Sequence, residues 1–303
     1  PAAKAFWIAG VASDDPRNEI VLAVVPTDRD VEQMTSDVRF FLGGLEGSSA
    51  DELDNVVLPL PSHEVDPYRG LAPHLRIASA RARALHAMAA GHARVVVASA
   101  AALLPRVSSP DAIVALGLDL KPGDDVETQR LAETLVNAGF THQDPVEEHG
   151  QFCIRGGVVD IFPAGEELPA RIELAGDTIE TIRRYAPETQ RSVASVDHLK
   201  VVPLREVVDD GAVPPRVSLF EYIGAARRPV FVACEPDEIR ERIEKQLAQI
   251  SESYEQAAAV SPSQRSVSGG ARGLQPPGEI LVGWADIERQ LSGAAVLEEL
   301  GFD

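Results

Sequence analysis

Residues 148–191, EHGQFCIRGGVVDIFPAGEELPARIELAGDTIETIRRYAPETQR, leave the backbone few options. Phe152 and Ile154 alternate with Gln151, Cys153 and Arg155, the period of a strand with one buried face. Gly156-Gly157 permits a tight turn with positive φ. Val158 to Phe162 continues as a second strand that Pro163 ends, and Arg171 to Ala175 alternates as a third. Gly176-Asp177 turns the chain into a fourth, Thr178 to Tyr185. The pattern predicts an antiparallel meander with one apolar and one polar face. With Phe152, Ile154, Ile172 and Leu174 inward, Cys153, Arg155, Arg171 and Glu173 point outward. Arginine is enriched at protein interfaces because its planar fork bonds carboxylates in pairs, and the partner patch would then be acidic or carbonyl-rich. The pattern alone favours two ordinary solvated charges, since most surface arginines do nothing specific.

On either side of this segment, strands alternate with helices. Ile20 to Val25 is a continuous apolar run, as in a strand buried on both faces. Thr27 and Asp30 form a capping-box pair ahead of a helix that carries Val31, Met34, Val38 and Phe41 on one stripe. Val56–Leu60 and Arg94–Ser99 read as strands, with a helix over Leu75–Ala90 between them. Asp124–Ala138 reads as a helix that leads into the meander. From His198 the alternation resumes, with strands at His198–Leu204, Pro229–Cys234 and Glu279–Val282 and helices at Asp237–Ala259 and around Trp284–Leu291. Residues 261–278 are rich in Ser, Gly and Pro and read as a loop. The expected fold class is α/β. A discontinuous parallel α/β domain, 1–116 plus 198–303, would carry an inserted small α+β domain, 117–197, built on the antiparallel sheet.

Composition narrows the chemistry. A chain of 303 residues can hold two cores, and a net charge of −19 argues against holding duplex DNA, whose phosphates need a basic face. Arg76, Arg81 and Arg83 form the densest basic group and read as a solvated helix face. No apolar run approaches the length of a membrane span, and no signal peptide is legible, so no membrane partner is expected. Two distant cysteines, Cys153 and Cys234, suit a reducing cytoplasm. His63, Glu64, Asp66 and His74 lack metal-ligand spacing, and no nucleophile motif occurs. Trp7 and Trp284 read as core or rim packing. Starting at Pro1, the chain reads as a fragment of a longer protein.

The run GQFCIRGGVVDIFP, followed by RIELAGDTI and Thr189-Gln190-Arg191, resembles a small domain shared by bacterial transcription-repair coupling factors and the excinuclease protein UvrB. In both families it docks a second excinuclease protein, UvrA. The resemblance implies that Arg155 and Arg171 carry that contact, with Glu173, Cys153 and Ala175 beside them. Cys153 stands where UvrB has another arginine, and Ala175 where the family usually has an aromatic.

The flanking sheet resembles the first nucleotide-binding domain of the helicase superfamily that includes UvrB, a P-loop NTPase-type fold. The expected phosphate loop, G-x-x-x-x-G-K-[ST], is replaced by PAAKAFWIAG, which keeps Lys4 but has Ala5 for Ser/Thr and lacks the glycines. This segment is therefore expected to be a degenerate relative without catalytic residues, cofactor or metal. The stretch HEVDPYRGLAPH holds only Tyr68, where UvrB has a tyrosine-rich hairpin that probes DNA. That favours the N-terminal module of a coupling factor. In such proteins ATP and magnesium belong to motor domains further along the chain. RNA polymerase and DNA are contacted through domains outside this segment. The remaining alternatives are an intramolecular domain that restrains its own parent motor, and a UvrB-type helicase module.

Overall fold

The computed structural model describes residues 2–15, 19–164, 166–206, 216–224, 228–259 and 274–299. In chain order the elements begin with α1 (Ala2–Asp14), β1 (Glu19–Val25), α2 (Asp28–Glu46), α3 (Ala50–Val56), β2 (Val57–Leu60), α4 (Leu75–Ala89), β3 (Val95–Ser99), β4 (Val107–Ser108) and α5 (Pro110–Ala115). Next come β5 (Leu118–Leu120), α6 (Thr128–Asn137), β6 (Thr141–His142), β7 (Gln151–Arg155), β8 (Val158–Ile161), β9 (Ala170–Ala175), β10 (Thr178–Ala186) and β11 (Arg191–Ser195). The remainder is β12 (Leu199–Val201), β13 (Arg216–Val217), α7 (Leu219–Gly224), β14 (Arg228–Cys234), α8 (Pro236–Ala259), α9 (Pro277–Ile280), α10 (Trp284–Leu291) and β15 (Ala295–Leu297). Among the described residues the fold is mixed α/β, with a five-stranded parallel sheet, a six-stranded largely antiparallel sheet and two two-stranded ladders, β12-β5 and β13-β4. Among the described residues, no helix is long and apolar enough to cross a membrane.

Contacts divide the chain into two compact units. The first comprises Pro1–Ile77, Ala87–Val107 and Arg216–Asp303; the second comprises Ala78–His86 and Ser108–Pro215. The first unit is built on a parallel sheet of order β15-β14-β1-β3-β2. Its central strand β1 is apolar throughout after Glu19, because it is covered on both faces. Ala5, Ile8, Ala9 and Ala12 of α1 and Val31, Met34, Val38 and Leu42 of α2 fill one core with it. Thr27 caps α2 through the expected box: its hydroxyl accepts from the Asp30 amide at 3.3 Å, and its own amide donates to the Asp30 carboxylate at 3.0 Å. The sequence reading missed the edge strand β15, and it placed a strand at Glu279–Val282 where α9 gives a single helical turn. Proline at 276 and 277 removes amides there and fixes φ in the helical range.

The second unit is built on a sheet of order β11-β10-β9-β8-β7-β6, antiparallel except for β6 beside β7. The meander expected from the sequence is present and gains a strand at each end. Helix α6 starts four residues later than its apolar pattern suggested, because residues 123–126 bond to β10 instead: Val126 N donates to Asp177 O at 2.6 Å and Ile179 N to Asp124 O at 2.8 Å. The strand expected from His198 joins this unit, not the parallel sheet: Leu199, Lys200 and Val201 pair antiparallel with Leu120, Asp119 and Leu118. Phe152, Val159, Ile161, Ile172, Ile179 and Ile182 meet Leu131 and Leu135 in one core on the inner face. The arginine group on α4 is not uniformly solvated. Arg76 is exposed, but Arg81 is 1% exposed and pairs with Glu206 in a bidentate contact, Nε donating to one carboxylate oxygen and Nη2 to the other. The Glu206 carboxylate, itself 8% exposed, is what allows the guanidinium to be buried.

Candidate functional site

Register decides what the outer face of the meander offers. The β7–β8 turn pairs Arg155 with Val158 and Cys153 with Asp160. The next ladder pairs Asp160 with Arg171 and Val158 with Glu173, and the one after pairs Arg171 with Arg183 and Glu173 with Thr181. The face therefore carries one row of Cys153, Asp160, Arg171 and Arg183, and a second row of Arg155, Val158, Glu173 and Thr181. Gly157 makes the turn possible by close approach: a Cβ there would lie 2.9 Å from the Leu174 carbonyl oxygen. Its own carbonyl accepts from Leu174 N at 2.7 Å, which ties the turn to β9. Gly156 supplies the left-handed residue, φ +58.

Asp160 is the centre of this face, and the sequence reading did not single it out. Its side chain is 1% exposed. Arg171 Nε donates to one carboxylate oxygen at 2.7 Å and Arg171 Nη2 to the other at 2.9 Å. Arg155 Nη2 donates to the second oxygen at 2.7 Å, and Arg155 Nη1 reaches the half-exposed Asp144 at 2.9 Å. Arg171 is held further by the Gln190 side chain at 2.9 Å and lies 4.5 Å above the Tyr185 ring. The hydrogen bond to Asp160 raises the Arg171 guanidinium above its ordinary value despite its burial. Gln190 adopts φ +58, an uncommon conformation for a side-chain-bearing residue that these bonds stabilise.

The five expected site residues are not equivalent. Arg155 and Arg171 come together through Asp160, but Arg155 is 46% exposed and Arg171 19%. Glu173 accepts from Thr181 at 2.8 Å and pairs with Arg183 at 3.4 Å. Cys153 faces the outer side yet is 2% exposed, packed with Val146 and Phe162. Burial first, then the Asp144 carboxylate, raise its thiol. Val146, part of its cover, was invisible to strand parity. Ala175 is exposed at the end of β9, beyond the arginine cluster. Parity did contain the signal for Asp160: it follows Val158 by two residues and so shares the face of Arg155 and Arg171. Guanidinium groups on such a face have the donor geometry to bond carboxylates and carbonyls.

A second place belongs to the first unit. The chain leaves β1 toward β3 and β2 and leaves β14 toward β15, so a topological switch point lies between the ends of these neighbours. Open parallel sheets bind their ligands at such points. The crevice here is lined by Lys4, Asp30, Glu235, Glu238 and Glu299. Lys4 is paired with Glu235, and Asp30 already accepts the Thr27 amide at the start of α2. The region that would receive phosphate is thus occupied by carboxylates. Among the described residues, no group of three or more His, Cys, Asp or Glu is arranged to hold a metal ion.

Residues 118–206 match the UvrB interaction domain family. The match runs from the first residue of β5 to Glu206 and contains the whole Arg155–Asp160–Arg171 cluster. Beyond the UvrB interaction domain the likeness continues. The chain is 33% identical to the transcription-repair-coupling factor of Myxococcus xanthus over 197 residues, 65% of this chain and 16% of the relative. It is 30% identical to that of Escherichia coli over 193 residues, 63% of this chain and again 16% of the relative. UvrABC system protein B of Mycobacterium bovis is 33% identical over 114 residues, 38% of this chain and 16% of that protein. The matched segments therefore span about a sixth of the length of each of these relatives.

Proposed function

We propose that this chain is the N-terminal, UvrB-like module of a transcription-repair coupling factor and that its antiparallel sheet docks UvrA. The unit built on the antiparallel sheet, which contains the matched residues 118–206, is the docking element, and the unit built on the parallel sheet is a degenerate helicase-like α/β domain. Recruitment of UvrA to RNA polymerase stalled at a lesion is the role this gives the segment. The parent chain supplies the ATP-driven translocase and the contacts to polymerase and DNA, in the cytoplasm.

The observation that carries the reading is the state of Arg155 inside the matched domain. Its guanidinium is half-exposed, anchored on one edge by buried Asp160 and on the other by surface Asp144. Exchange of the exposed Asp144 bond for a partner carboxylate costs little, because exposed ion pairs contribute about 0–1 kcal/mol. Truncating an arginine that pairs with an acid at an interface costs about 2 kcal/mol or more. Arg155→Ala is therefore expected to weaken binding to UvrA by roughly tenfold or more in a calorimetric or pull-down titration. Unchanged affinity in a folded variant refutes the assignment.

The same proposal makes the segment inert toward nucleotide. Four carboxylates and a paired lysine line the crevice where phosphate would enter. Titration with Mg-ATP is expected to give no heat beyond dilution, and micromolar binding would return the segment to the hydrolysing members of the superfamily.

A further inference from the structure

Helix α1 is apolar on the side that faces away from its own core. Ala5, Ile8, Ala9 and Ala12 are buried against α2 and β1, yet Phe6 is 52% and Trp7 40% exposed. On α2, Phe40 is 76% exposed, opposite the buried stripe of Val31, Val38 and Leu42. Phe41 links the two helices by edge contacts, with ring centroids 5.4 Å from Phe6 and 5.3 Å from Phe40. The lone charge in the first twelve residues of α1, Lys4, is turned to Glu235, so α1 adds no charge to the aromatic face. Helices that are apolar all round are buried all round.

The glycines of these helices give a second, independent sign. Glycine weakens a helix interior and is kept there for a packing reason. For Gly43 the reason is internal, since a Cβ would meet the Leu53 side chain at 3.1 Å. For Gly10 and Gly44 it is not: a Cβ at either would meet nothing within 4 Å. Each stands four residues after an exposed phenylalanine, Phe6 and Phe40, and so lies on the same helix face one turn along. Both helices thus present an aromatic knob followed by a gap, the surface relief that helix-on-helix packing uses.

We infer that this α1–α2 face is the seat of an amphipathic helix from another part of the parent chain, packed against Phe6 and Phe40 and entering the gaps at Gly10 and Gly44. The inference rests on the proposed origin of the chain in a longer coupling factor; the matched segments cover only 16% of the length of such relatives. The exposed aromatics of this face are three, Phe6, Trp7 and Phe40. Stable association between free proteins takes roughly 20–30 residues a side, whereas a tethered segment docks at an effective concentration near millimolar and needs far fewer. The patch shares no residue with the arginine face, so the two surfaces serve separate contacts.

The test compares Phe40→Cys in the 303-residue chain and in the full-length parent protein, with maleimide modification of position 40 followed by peptide mass spectrometry. Background is low because Cys153 and Cys234 are each 2% exposed and burial pushes the Cys234 thiol up to about 11. Modification is expected to be at least tenfold slower in the parent protein. Adding Gly44→Leu, which fills the gap, is expected to restore the fast rate there while the 303-residue chain stays folded. Equal rates in the two proteins, or protection that survives Gly44→Leu, overturn the inference. So does a 303-residue chain that sediments as a dimer through this face. UvrA binding by Phe40→Asp in the short chain is read in parallel and is expected to match the parent segment. Failure of the unsubstituted short chain to bind UvrA counts against the docking role and leaves the labelling result to judge this face.

Discussion

Arg171→Ala is expected to cost the antiparallel sheet about 3 kcal/mol, because it removes one partner from a buried charge pair. Asp160 loses two of its three guanidinium bonds and, at 1% exposure, cannot replace them with water. The ring of Tyr185 loses its cation as well. Arg155→Ala is expected to cost only about 1 kcal/mol, since that side chain is 46% exposed and Arg171 keeps both Asp160 oxygens. Both tryptophans lie in the other unit, so hydrogen exchange of peptides spanning 158–175 is the appropriate readout. Adding Asp160→Asn to Arg171→Ala is expected to recover part of the loss by removing the stranded charge. Equal losses for the two single arginine variants would defeat this account. The two arginines, which sequence parity presents as equivalent surface charges, thus divide the work: Arg155 is the probe for partner binding, and an affinity loss in Arg171→Ala must be corrected for its folded fraction.

The second large effect is expected at Arg81, where alanine should cost roughly 3–5 kcal/mol. The guanidinium is 1% exposed and meets a Glu206 carboxylate that is itself 8% exposed. The same substitution at exposed Arg76, on the same helix, is expected to stay within about 0.5 kcal/mol. An apolar replacement of the pair, Arg81→Met with Glu206→Leu, is expected to be far milder than either single truncation. Peptide exchange across 78–86 and 199–206 distinguishes these outcomes, and a single Arg81→Ala that behaves like Arg76→Ala refutes the burial argument.

These two sites mark where sequence reasoning reached its limit. The strands between Gln151 and Ala186 were legible because alternation and glycine turns are local signals, and register then follows from the turns. The inward and outward sets follow from the same parity, and so did Asp160, which needed only to be counted. Burial of Cys153 did not follow, because part of its cover is Val146, outside the periodic run. Arg81 was misread for a similar reason: its partner lies 125 positions away. The short strands β12 and β15 were misassigned or missed because three residues carry no period to recognise.

The pairing of Glu19 with Arg228, through Val24 with Ala233, has a temporal meaning. The antiparallel sheet is assembled from consecutive strands joined by short turns, so its closure entropy is small and it can form soon after synthesis reaches Ser195. The parallel sheet can complete only part of itself early: β1 has β3 on one edge, but its other edge waits until β14 has left the ribosome. The later-made half of the first unit therefore sets the pace of maturation, and nascent chains stalled before Arg228 are the ones a chaperone must shield.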